Sequence, residues 1–276
     1  MTSLSMRRFG LNALLLVIVL SLAALVWWQL QQKEQQAQTD RLLPITFAEV
    51  TSILIERQTE SVLEKIELQR EGDDWRLLQP VAAEANAIKV RQLLTLLDDK
   101  VESSYSSADK DLKQYGLAPS DLSVSFNGSK LVLGDSNPVS NQRYILNGQQ
   151  IQLVNEAVYG LLKEDWVNFI SLKLVPNQLK LETVQLPEGF ADSPQLVSAW
   201  KVAEAVRVKA FDPQQATPDM QKVILKGASE SQELLVVKLT DEIVLADLAK
   251  QCAYTLPISQ AAQLFPSKTG LGNTPK

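Results

Sequence analysis

Residues 122–133 read LSVSFNGSKLVL, two alternating runs joined by Asn127-Gly128. Apolar residues at every second place suit a strand with one buried face. Asn-Gly accepts the positive φ of a type I′ turn at both central positions, so the stretch predicts a β-hairpin. QRYILNGQQIQLV (142–154) repeats the arrangement around Asn147-Gly148. Upstream, VTSILIE (50–56) and EKIELQR (64–70) alternate in the same way, and Glu71-Gly72-Asp73-Asp74 ahead of WRLLQP reads as the polar tip of another hairpin. These signals add up to antiparallel sheet.

Helices are sparse. Asn86 is placed to cap a helix in which Val90, Leu93, Leu94, Leu97 and Val101 form one apolar stripe able to cover a sheet. A shorter helix, Glu156 to Lys163, follows Asn155 as cap, with Val158, Leu161 and Leu162 on one side. DLKQYGLAPS (111–120) reads as a helix ending. If Asp109 to Tyr115 are helical, Gly116 takes the left-handed C′ position, Leu117 and Leu112 form the apolar pair of a Schellman motif, and Pro119 stops the helix from resuming. Tyr115 is expected to be a ring packed under that turn, since no partner base lies near it in sequence.

The second half echoes the first. ELLVVKLTDEIVLADLAKQCAYTLPISQAAQLF (233–265) can be laid on KLVLGDSNPVSNQRYILNGQQIQLVNEAVYGLL (130–162) as three strands and a short helix, with Asp247 to Gln251 in the turn. Eight of the twelve prolines follow Leu172, which predicts longer loops there. Strands such as KLVLGD and ELLVVKL are expected at sheet edges, each either open to a partner strand or covered within the same chain.

The N-terminus points to a membrane. No charge occurs from Phe9 to Gln32, and Phe9 to Trp28 contain twelve Leu, Ile, Val or Phe residues. About 20 such residues span the hydrocarbon layer as a helix. Arg7 and Arg8 hold the short N-terminal side in the cytoplasm by the positive-inside rule, and Trp27 and Trp28 fall where an interfacial aromatic belt belongs. A cleaved signal peptide would use Ser21-Leu22-Ala23, but the apolar run continues past that site, which favours an uncleaved anchor. The expected organisation is residues 1–32 as cytoplasmic N-terminus and transmembrane anchor, 33–43 as polar stalk, 44–172 and 173–266 as two tandem, duplicated antiparallel-sheet-plus-helix units of α+β class, and 267–276 as flexible tail.

Composition removes several chemistries. Net charge is −5, and no basic stripe exists to neutralise phosphates, so nucleic acid is not an expected partner. With no histidine there is no Ser-His-Asp or Cys-His machine. Cys252 sits in QCAYTLP, a strand pattern in which a buried, inert thiol is the expectation. The acids at Asp73-Asp74, Asp98-Asp99 and in Leu133 to Asn137 suit turns and caps, with no EF-hand spacing. No P-loop or G-x-G-x-x-G is present, and no S-x-x-K signature comes with its supporting motifs, so neither a cofactor nor a metal is expected.

DLKQYGLAPSDLSVSF, followed by KLVLGD and RYIL and preceded by DDWRLLQPVAAEAN and the leucine-rich helix, resembles the DUF4340 family over roughly Ile45 to Lys163. Only AWKVAEAVRV stands in the second half for the family's glycine-tryptophan hairpin. The resemblance implies tandem α+β units anchored in a membrane outside the cytoplasm and, in some relatives, association with ABC-type export or gliding-related machinery; it implies no catalytic residue. The expected function is that of a non-enzymatic, single-pass accessory or scaffold protein of the bacterial inner membrane, its body periplasmic and bound to another envelope protein, with a component of an ABC-type transport system as the implied class. The alternative is a periplasmic glycan- or lipid-binding module.

Overall fold

The computed structural model describes residues 19–28, 41–59 and 62–268. Two antiparallel sheets carry the body. The first comprises β1 (Ser52–Gln58), β2 (Leu63–Glu71), β3 (Asp74–Gln79), β4 (Ala83–Glu84), β5 (Ser103–Ser106), β6 (Leu122–Phe126), β7 (Ser129–Asn137), β8 (Gln142–Asn147) and β9 (Gln150–Asn155), in the order β4-β3-β2-β1-β6-β7-β8-β9-β5. The second comprises β10 (Leu181–Gln185), β11 (Arg207–Ala210), β12 (Lys222–Gly227), β13 (Ser231–Leu239), β14 (Glu242–Asp247) and β15 (Cys252–Pro257), in the order β10-β12-β13-β14-β15-β11. The class is α+β. The helices are α1, described over 19–28, and the short α2 (Ala87–Leu94), α3 (Tyr159–Leu162), α4 (Leu196–Val202) and α5 (Ala261–Leu264).

One order of connection occurs in both sheets. A four-strand meander, β6 to β9 or β12 to β15, has its first strand paired with an earlier strand (β1 or β10) and its last with the strand just before the meander (β5 or β11). β1 is further extended by the β2-β3 hairpin and β4, whereas β10 ends its sheet.

Alternation explains the strands. Ile53 and Ile55 of β1 pair with Phe126 and Val124 of β6, and all four are fully buried on one face. Asn86 caps α2 by accepting from the backbone N–H groups of Ile88 and Lys89, and Val90, Leu93, Leu94, Leu97 and Val101 are buried as the stripe requires. The α-helix is nevertheless shorter than the stripe. It gives way to a 3-10 turn at Thr95–Asp98, where the Thr95 hydroxyl donates back to the Gln92 carbonyl.

The two Asn-Gly hairpins differ. Asn127 (φ 48) and Gly128 (φ 83) form the two-residue loop between Phe126 and Ser129, as expected for a I′ turn. Asn147 instead stays in β8 opposite Gln150, and the loop is Gly148-Gln149 with positive φ at Gly148 alone, the II′ pattern. Asn147 is held in the strand by its amide, which donates to the Leu42 carbonyl at 2.8 Å.

Two expectations are corrected. KLVLGD lies in β7 and ELLVVKL in β13, each flanked by strands on both sides, so neither is an edge; the edges are β4, β5, β10 and β11. The reason is that each is the second strand of its meander, flanked by its chain neighbours β6 and β8 or β12 and β14. AWKVAEAVRV is not a hairpin: Leu196–Val202 is α4, with Trp200 fully buried and its indole N–H donating to the Leu264 carbonyl, and Arg207–Ala210 is β11.

An extended strap joins the sheets. Phe169 and Ser171 exchange backbone hydrogen bonds with Asn86 and Glu84, while Leu172 and Leu174 do so with Ala205 and Ala203. Buried side chains from Leu42 to Phe265 form one continuous apolar cluster that spans both sheets.

Among the described residues no helix is long and apolar enough to cross a membrane. Helix α1 holds the last part of the expected Phe9 to Trp28 span. The preceding residues, with Arg7 and Arg8, lie outside the described residues, as do 29–32 of the expected anchor, 33–40 of the expected stalk and 269–276 of the expected tail.

Candidate functional site

The YGL turn and the LGD strand meet. Asp111 accepts from Lys113 N–H and starts a single 3-10 turn, Leu112–Tyr115, shorter than the Asp109–Tyr115 helix expected. Gly116 is left-handed (φ 66); its N–H bonds the Lys113 carbonyl at 3.1 Å and Leu117 N–H bonds that of Leu112 at 3.0 Å, the paired bonds of a Schellman ending. Leu117 is buried, and Pro119 follows a cis Ala118-Pro119 bond. The turn sits on an irregularity of β7 between Leu133 and Ser136. A methyl group on Gly134 would collide with the Tyr115 carbonyl oxygen, and one on Gly116 would lie 2.5 Å from the Asp135 carboxyl carbon.

Around this contact lie groups that the sequence did not single out. Tyr115 packs edge-to-face on Tyr144, with centroids 5.0 Å apart, and lies 6.5 Å from Tyr105. Tyr144 is placed between the core-facing Arg143 and Ile145 on β8, so the tyrosines occupy the opposite face of the sheet. Burial, then the neighbouring Tyr144 and Tyr115, raises the Tyr105 hydroxyl above its ordinary range. Arg143 is buried and holds three elements together. It donates to the Gly134 carbonyl and, from Nε at 3.1 Å and a terminal nitrogen at 2.5 Å, to Glu156 Oε1, and its guanidinium lies 3.3 Å from the Tyr159 ring centroid. The signal in the sequence is a lone cation inside the otherwise uncharged RYIL run. These side chains hold one another in a structural knot, in which Glu156 Oε2 is buried without a partner.

The second sheet carries a cleft of about 390 Å³. Pro176, Leu179, Leu235 and Leu248 give it apolar walls, and Gln232, Asp247 and Lys250 a polar end. Asp247 is 3% exposed and accepts from Gln232 Nε2 at 3.0 Å, Lys250 N–H at 3.1 Å and Lys250 Nζ at 2.7 Å. That network fixes the amide orientation of Gln232, whose Oε1 is buried with no donor. Beneath lies Cys252, fully buried; burial and then Asp247 push its thiol up to about 12. The thiol is therefore protonated and inert at neutral pH.

The two pairs of adjacent acids are placed differently. Asp73 and Asp74 line a smaller cleft with Glu84 and Glu204, where Glu84 is occupied by the Ser171 hydroxyl and the Asn177 N–H. Among the described residues no group of three His, Cys, Asp or Glu is arranged to hold a metal. Burial, then Asp98, raises the Asp99 carboxyl to about 6, and its Oδ2 has no hydrogen-bond partner. Trp27 and Trp28 on α1 are 66% and 60% exposed, beside equally uncovered Val19, Leu20, Leu22, Leu25 and Val26.

Residues 75–205 match the model of DUF4340, a domain of unknown function. The match starts at Trp75 rather than Ile45 and runs through the strap to Ala205. No curated protein and no solved structure matches the chain.

Proposed function

From the premise that residues 75–205 belong to the DUF4340 family, we propose a non-enzymatic accessory protein, anchored by its N-terminal helix in the bacterial inner membrane, whose periplasmic body binds another envelope protein. A component of an ABC-type transport system is the class of partner that the family resemblance favours. The observation that carries the reading is α1. Seven large apolar side chains in ten residues, each more than half exposed and none covered by the body, suit lipid rather than water. The uncharged apolar residues ahead of it and the arginines beyond them support an anchor with its N-terminus cytoplasmic.

The body is two related units, the second an altered copy of the first. Supporting this, the strands β1, β5 and β6 to β9 connect and pair in the same way as β10, β11 and β12 to β15. Each meander is followed by a 3-10 turn and a short helix, α3 or α5. Leu42-Leu43-Pro44 ahead of β1 corresponds to Leu174-Val175-Pro176 ahead of β10, with all four aliphatic residues buried.

Two experiments test the reading. Protease protection in sealed vesicles is expected to place the C-terminal body on the face opposite the arginines. In-membrane cross-linking of the full chain is expected to recover one specific envelope protein, and recovery of none would refute the accessory role.

A further inference from the structure

We infer that the cleft between Pro176, Leu179, Leu235 and Leu248 is a docking site for an extended segment of the partner protein, carrying an aliphatic or aromatic anchor residue with a lysine or arginine beside it. The inference rests on the partner-binding reading and on the correspondence of the two units.

In the first unit the corresponding connection is longer and packs onto the body. Seven residues separate Pro44 from the first residue of β1, and four separate Pro176 from the first residue of β10. The longer connection packs Ile45 and Phe47 against the core, and its Phe47 and Ala48 carbonyls are each held by Arg70 at 2.9 Å. Asn147, at the end of β8, binds the Leu42 carbonyl beside it. Asp247 ends β14 in the same ladder position, pairing with the first residue of β15 as Asn147 pairs with that of β9. Beside the shorter connection a cleft lined by Pro176, Leu179 and Asp247 stays open.

The chemistry of the opening selects its occupant. Leu179, Leu235 and Leu248 offer an apolar wall, which a hydrophobic side chain would cover. Asp247 is neutralised by Lys250 and Glu233 is paired with Lys222, but Glu230 on the rim has no ion pair among the described residues, which favours a cation next to the anchor.

The test uses the full chain in detergent micelles and a fluorescent peptide, Leu-Leu-Pro-Ile-Thr-Phe-Ala-Lys, copied from residues 42–48 with one lysine added. Anisotropy should show saturable binding. Ala249→Trp, at the exposed mouth of the cleft, should weaken it at least tenfold, whereas Val139→Trp, on an exposed loop of the first unit, should leave it unchanged; circular dichroism checks that both variants fold. Absence of saturable binding, or equal affinity of parent and Ala249→Trp, overturns the inference. If binding fails while membrane cross-linking still recovers a specific partner, the docking site falls and the accessory role stands. If the peptide binds through the cleft and cross-linking recovers no partner, the role falls instead.

Discussion

Replacing Gly134 by alanine should destabilise the protein more than the same change at glycines with more demanding backbone angles. Gly128 has φ +83 and nothing within 4 Å of the place an added methyl would take, so alanine there costs only left-handed strain, about 1 kcal/mol. Gly116 combines φ +66 with a methyl 2.5 Å from Asp135, but that carboxylate is the exposed end of a side chain and can swing away, giving about 1–2 kcal/mol. At Gly134 the backbone is ordinary, yet the methyl would collide with the Tyr115 carbonyl oxygen and sit 2.9 Å from Leu117. A backbone oxygen fixed by a Schellman ending cannot rotate aside, so the whole turn must shift, costing about 3 kcal/mol or more. The lower entropy of the unfolded chain offsets each value by roughly 0.5–1 kcal/mol and leaves the differences intact. At about 2–4 °C per kcal/mol for a body of this size, Gly134→Ala should lower Tm by roughly 4–10 °C and Gly128→Ala by no more than a few degrees. Thermal unfolding of the full chain in detergent, followed by near-UV circular dichroism, measures both. Equal melting of the two variants would refute the reasoning that contact, not backbone angle, requires Gly134.

Three other outcomes are expected. Asp99→Asn should stabilise the protein at pH 7.5: the folded carboxyl, held near 6 by burial and then Asp98, binds a proton more tightly than the unfolded one at 3.8, so its stabilising contribution is complete below about 3.8 and lost as pH rises to 6. Because the group is half solvated the gain is about 1 kcal/mol, vanishing below pH 4 in urea titrations; a gain that persists at pH 3.5 contradicts the assignment. Arg143→Met should cost about 2–3 kcal/mol by leaving Glu156 and the Gly134 carbonyl without their donor, and Glu156→Gln in the same chain should recover part of it, which a double-mutant cycle reads directly. Asn86→Ala should cost about 1 kcal/mol in the same titrations, through loss of both cap bonds of α2.

What could be read from the amino acids was local. Asn127-Gly128, the Asn86 cap and the Gly116 ending each carry their cause within a few residues, because turn geometry and capping act at that range. Sheet order does not: β1 reaches β6 across the β2-β3 hairpin, α2 and β5, and no alternating pattern announces that pairing. The II′ loop at Gly148 was hidden for a related reason, since the Leu42 carbonyl that keeps Asn147 in its strand lies far upstream. The cleft was equally illegible. It arises from a connection three residues shorter than its counterpart, a difference that acquires meaning only once the two ladders are set side by side.

The main apolar cluster, which runs through both sheets, makes the halves inseparable in practice. Severing the chain near Leu172 would strip each fragment of a wall of leucines and valines that only its sibling can shield, so neither piece is expected to remain in solution alone. Melting should accordingly register as one event for the whole body. A tug on either sheet, whether from lipid below or from a bound neighbour above, would be felt by the other.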